Sequence, residues 1–215
     1  MFRMMKVGTR LTLGFLTVVV LGIIVTSIAI YNMAQMNERA KRLYHQELLG
    51  LSYVKEANID LIYIGRALRS AMLASDEETR AKYLAATDKS RQLMQENLDK
   101  ARPLFYSVQG KRNFAEADAQ VREYEVAIAD MVKRIKAEPP AQQRNSVDYL
   151  FSTFLPKSQA LDDKMTVLAQ VKENLAQQAN QNNKDAYETS RTTLLLLVAL
   201  SALAGTGFGV LITRS

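Results

Sequence analysis

Residues 11–30 read LTLGFLTVVVLGIIVTSIAI and residues 192–212 read TTLLLLVALSALAGTGFGVLI, two stretches without a charged side chain. At about 1.5 Å of rise per residue each makes a helix of about 30 Å, the thickness of a bilayer's hydrocarbon core. A cleaved signal peptide is the alternative for the first, because Ser27-Ile28-Ala29 has the small-x-small form of a cleavage site. Its apolar run is longer than a signal's apolar region. The second stretch lies far from the N-terminus and has no such alternative. Both are read as transmembrane helices. Arg3, Lys6 and Arg10 precede the first and Arg214 follows the second. Cationic ends stay inside, so residues 1–10 and 213–215 are expected in the cytoplasm, with residues 31–191 exported. Gly205 and Gly209 form a GxxxG in the second span, a spacing that lets helices approach closely in lipid.

Composition removes most chemistry. The 215 residues include no Cys, which excludes disulfides, thiolate metal sites and a Cys nucleophile. The single His45 leaves no imidazole cluster. Asp162-Asp163 and Glu77-Glu78 are no metal site, because adjacent helical residues point apart. No nucleophile–base pair or phosphate-cradling loop is visible, so neither an enzyme nor a cofactor is expected. The net charge of +6 would suggest nucleic acid if it formed a patch. Residues 31–191, however, hold 24 basic against 22 acidic residues, and the excess flanks the apolar runs. No nucleic-acid partner is expected.

Between the spans, glycine occurs only at Gly50, Gly65 and Gly110. Val54, Leu61, Leu68 and Met72, with Asn58 and Gly65 between them, alternate by four and three as the core stripe of a bundle helix. That helix is expected to end near Ala74. Ser75-Asp76-Glu77-Glu78 has the S-x-x-E form of a capping box, so the next helix starts near Asp76 and runs to about Tyr106. Gly110 marks a reversal, and a third helix covers about Lys111 to Ala137. Glu138-Pro139-Pro140 stops it, because proline cannot continue a helix. The last helix starts near Ser146 with Val147, Leu150, Phe154, Leu161, Met165, Leu168 and Leu175 on its stripe, and Pro156 predicts a kink or a later start. From residue 31 to Ala74 is about 66 Å of helix, and from Ser146 to Arg191 about 69 Å. Equal heights fit an all-α, up-down-up-down four-helix bundle flanked by two transmembrane helices.

The end of the bundle far from the membrane collects candidate ligand-binding residues. Arg66 lies about 54 Å above the first span, with Arg69 and Tyr63 three residues to either side and Ser70 adjacent to Arg69. Thr153 lies about 57 Å above the second span, between Tyr149 and Lys157 in an i, i+4, i+8 row. Arginine makes bidentate hydrogen bonds to carboxylates, while tyrosine and threonine fix orientation. Such a set suits an organic anion. The competing explanation is that Arg66 and Arg69 pair with Asp60, Glu77 or acids of a neighbouring helix. Arg134, Lys136 and Arg144 are read as a solvated face.

The basic start MFRMMKVGTRL, the first-helix segment NIDLIYIGRALRSAMLASD and the final span ending in LITRS resemble the N-terminal half of a bacterial methyl-accepting chemotaxis receptor. The resemblance implies a homodimer that binds its ligand near the membrane-distal dimer interface and signals through the second span. Arg66, Arg69, Tyr149 and Thr153 match that general location. The aspartate-type receptors carry three first-helix arginines spaced five and four apart. Counted from Arg66 those places are Ala71 and Ser75, and centred on Arg69 they are Ile64 and Leu73, so amino-acid specificity does not carry over. A di- or tricarboxylate such as malate or citrate is the leading expectation, and an aromatic acid the second. The family further implies a cytoplasmic part beyond Ser215 that engages a chemotaxis histidine kinase and an adaptor protein. Rivals are the input half of a sensor histidine kinase or other signalling enzyme, and a membrane-tethered scaffold without a small ligand.

Overall fold

A computed structural model describes residues 7–140 and 145–214; Arg3, Lys6, Arg144 and Ser215 lie outside the described residues. The chain forms α1 (Val7–Arg42), a π-helical turn (Leu43–Leu48), α2 (Leu49–Met72), α3 (Glu77–Ala101), α4 (Val108–Ala137), α5 (Asn145–Tyr149), a second π turn (Leu150–Phe154) and α6 (Leu155–Arg214). Leu43–Gln177 is one compact unit; the stretches up to Arg42 and from Gln178 are the other.

The unit Leu43–Gln177 is a four-helix bundle of α2, α3, α4 and the segment running through α5 into α6. Short connections make each helix antiparallel to the one before it. The expected stripe is the core: Val54, Leu61, Leu68 and Met72 are buried, joined by Ala57, Ile64 and Ala71. Met94 and Leu98 of α3, Ile128 and Met131 of α4, and Phe154, Leu161, Met165 and Leu168 meet them.

Four local expectations change. The cap of α3 is Asp76, not Ser75. Asp76 adopts an extended backbone, and its carboxylate accepts from the Thr79 N–H at 2.7 Å and the Thr79 hydroxyl at 3.0 Å. The α-helical part of α3 ends at Ala101 instead of near Tyr106, passing into a 3-10 turn over Arg102–Leu104. Pro103 has no N–H to donate and its ring would crowd the carbonyl four residues back. Gly110 is not a reversal but a buried residue in the first turn of α4, where Ser107 caps its N–H at 2.9 Å. Pro156 does not delay the helix, which runs from Asn145 through a π turn into α6 at Leu155. The π turn before it hands the Leu155 N–H back five residues to the Leu150 carbonyl, which relieves the backbone around a residue that cannot donate.

The Asp76 cap has a pH consequence. Hydrogen bonds from the Thr79 N–H, then its hydroxyl, hold the Asp76 carboxyl below its ordinary value. A carboxyl depressed in the folded state stabilises above its unfolded pKa and loses that contribution as pH falls through the folded one. Asparagine caps about as well without the charge. In acid unfolding followed by circular dichroism, the wild type's advantage over Asp76→Asn should therefore shrink below about pH 4. A difference independent of pH would refute this.

The other unit contributes two helical stretches long and apolar enough to cross a membrane, and their most apolar windows are not buried. A Cβ built on Gly205 would meet Val18 at 3.4 Å, so the first glycine of the GxxxG faces the other helix of the same chain.

Candidate functional site

One turn of α2 after another places Ile59, Ile62, Tyr63, Arg66, Ser70 and Leu73 along a single narrow stripe, since residues three and four apart share a helix face. Most of this stripe is solvent-exposed, up to 84% at Leu73, and Ser70 is half-buried. Arg66 therefore stands in the middle of an apolar stripe. Arg69 lies at its edge and turns toward the last helix. Its Nη2 comes within 3.5 Å of where a Gly65 Cβ would sit, so the bare backbone of Gly65 leaves space beneath the guanidinium.

Arg69 opens onto a groove of about 520 Å³ between α2 and the last helix. Leu61, Ile62 and Gly65 line one wall; Phe151, Phe154, Leu155 and Pro156 line the other, with Ser158, Gln159 and Asp162 adding polar groups. Gln159 donates to Asp163 at 2.9 Å and reaches Asp162 at 3.5 Å. Tyr124 of α4 lies beneath, fully buried, its ring 5.3 Å from that of Phe154. Burial pushes the phenol's pKa upward, and Ser158 and Arg69 beside its hydroxyl oppose that shift.

The expected ligand residues divide into separate groups. Neither Arg66 nor Arg69 has an ion pair among the described residues. The acids proposed as their alternative partners are otherwise engaged: Asp60 accepts from Asn97 at 3.3 Å, and Glu77 pairs with Arg80 at 3.1 Å. Burial raises the Asp60 carboxyl above its ordinary value, a shift the Asn97 bond opposes. Tyr149, Thr153 and Lys157 do not line the groove with Arg69. Tyr149 reaches Asp130 at 3.5 Å beneath the Arg134 guanidinium, and Lys157 forms an ion pair with Glu123. Both partners belong to α4. Thr153 contacts the neighbouring Ser152 hydroxyl at 3.4 Å.

The residues opposite Arg69 are therefore Phe151, Leu155, Ser158 and Asp162, one row over from the expected 149–153–157. Both rows keep helical spacing and lie on opposite flanks of the core stripe through Phe154, Leu161 and Met165: Tyr149 and Lys157 turn to α4, while Phe151, Leu155, Ser158 and Asp162 turn to α2. Tyr124 carries no sequence signal beyond being an aromatic on the α4 stripe.

No metal-holding group of His, Cys, Asp and Glu occurs among the described residues. A family model described as a four helix bundle sensory module for signal transduction matches residues 4–187. No curated protein and no solved structure matches the chain.

Proposed function

The chain belongs to the four-helix-bundle sensory modules of methyl-accepting chemotaxis proteins, and from that membership we propose that it is the sensor of an inner-membrane chemoreceptor that binds a small organic anion. In this reading residues 11–30 and 192–212 span the bilayer, residues 31–191 are periplasmic, and a homodimer reports ligand through the second span to a chemotaxis histidine kinase and adaptor. The observation that carries the ligand is the pair of guanidinium groups, Arg66 and Arg69, neither of which forms an ion pair among the described residues, although Asp162 lines the same groove as Arg69. Ile59, Ile62, Tyr63 and Leu73 give a second copy an apolar strip to cover, and that pairing would bring four arginines together. Four cations beside one another favour a di- or tricarboxylate such as malate or citrate. Phe151 and Phe154 in the groove support the second reading, an aromatic acid.

Calorimetric titration of the full chain in lipid nanodiscs with malate, citrate and benzoate tests this. A hydrogen-bonded charge pair is worth about 1.5–3 kcal/mol, so Arg69→Ala should weaken the bound acid roughly 10- to 150-fold. Unchanged affinity in Arg69→Ala removes Arg69 from the site. Absence of binding by all three acids overturns the ligand classes named here.

A further inference from the structure

A buried polar contact lies at the opposite end from Arg69, where the chain enters and leaves the unit. Stepping back along the α2 stripe from Val54 leads through Gly50 to Glu47, inside the first π turn; stepping forward from Leu168 leads to Lys172. Both sit where the pattern calls for apolar residues, and both are buried, Lys172 0% and Glu47 4% exposed. Lys172 Nζ meets Glu47 Oε2 at 2.9 Å and donates to the Leu104 carbonyl. The Tyr106 hydroxyl donates to Glu47 Oε1 at 2.8 Å. The rings of Phe105 and Tyr106 stand 4.8 and 5.2 Å from the ammonium. A Cβ on Gly50 would come 2.8 Å from Lys172 Cε, so the first helix closes directly on the lysine stem.

Three segments thus converge on one ammonium: the π turn, the connection between α3 and α4, and α6. Apolar side chains at these places could slide past one another at little cost, because hydrophobic burial has no direction. A buried ion pair cannot. Moving α6 by one residue's rise, about 1.5 Å, would pull Nζ out of hydrogen-bonding range of Oε2 and leave both charges in the core. Buried polar contacts set register in coiled coils in the same way.

We infer that Glu47 and Lys172 form a register lock, which allows α6 a single axial setting against α2 and the π turn before it. The lock is a conformational device independent of which ligand binds. It goes beyond the sensor reading and does not require it.

The chain has no cysteine, so register can be read by disulfide trapping in the full chain in nanodiscs. Lys55 and Glu173 form a 2.8 Å ion pair across the two helices and supply the in-register pair, Lys55→Cys with Glu173→Cys. Lys55→Cys with Gln177→Cys reads the setting one turn away. With the lock intact the in-register pair should trap several-fold faster than the displaced pair. In the Glu47→Gln/Lys172→Met background, which keeps shape and removes both charges, the two rates should converge while the helical signal persists. An unchanged rate ratio in that folded background overturns the lock. If that background unfolds, Glu47→Asp keeps both charges and shortens the reach by one methylene. The lock then demands a shifted ratio, and an unchanged one overturns it.

Discussion

Lys172→Met alone is expected to lower the unfolding free energy by about 3–5 kcal/mol, because it strands a charge in the core. Methionine fills the space of the lysine stem beside Gly50, so the loss is not one of volume. What remains is Glu47, buried, with the Tyr106 hydroxyl as a partner on one oxygen, and a Leu104 carbonyl without its ammonium. Glu47→Gln/Lys172→Met should recover most of the loss, since replacing both ions of a buried pair is often neutral. Urea unfolding of the wild type, the single and the double variant measures both. A single variant that loses no more than the roughly 0–1 kcal/mol of an exposed ion pair would show that water reaches the pair.

Phe154→Ala should cost about 3–5 kcal/mol, the range for removing a fully buried phenylalanine. Phe154 is 0% exposed and its ring packs on Tyr124, while Phe151, three residues earlier and also lining the groove, is 66% exposed. Phe151→Ala should change stability by no more than about 0.5 kcal/mol. The two truncations remove the same atoms from the same groove, so the contrast isolates burial. Equal losses in urea unfolding would mean that Phe151 is covered in solution, as it would be by a second copy of the chain.

Much of the fold is legible in the residues. The four-three stripe through Val54, Leu61 and Leu68 is the core of α2, and α2 ends at Met72, two residues before the expected Ala74. Glu138-Pro139-Pro140 ends α4 as proline chemistry requires. The misses have physical causes. Pro103 was a breaker in plain view, and its missing N–H ends α3 early. Asp76 outcompeted Ser75 because a carboxylate accepts from the Thr79 N–H and hydroxyl together. The stripe also ran one step further at each end than apolar counting allowed, into Glu47 and Lys172. Charged residues at core positions signal a buried pair only once their partner is seen, and here the partner lies 125 residues away. The groove is less legible: Arg66 and Arg69 have no ion pair among the described residues, but the row facing Arg69 lies on the other flank of the last helix's core stripe from 149–153–157, and which flank meets α2 depends on how the helices pack.

The second π turn governs where the chain can change length. An α-helix that gains or loses one residue turns everything beyond it by about 100° and unmakes every packed layer downstream. Leu150–Phe154 is already one residue over the α-helical repeat, so a single deletion there would restore the ordinary winding instead of violating it. Pro156 opposes that change, since in a regular helix its ring would collide with the carbonyl four residues back. A deletion within 150–154 is therefore tolerable only together with replacement of Pro156. Even then Phe151 would swing to a new azimuth while Leu161 and Met165 kept theirs. The length of this one turn, more than the identity of any residue in it, sets how the segment before it, Asn145–Tyr149, is rotated relative to the groove wall that follows it.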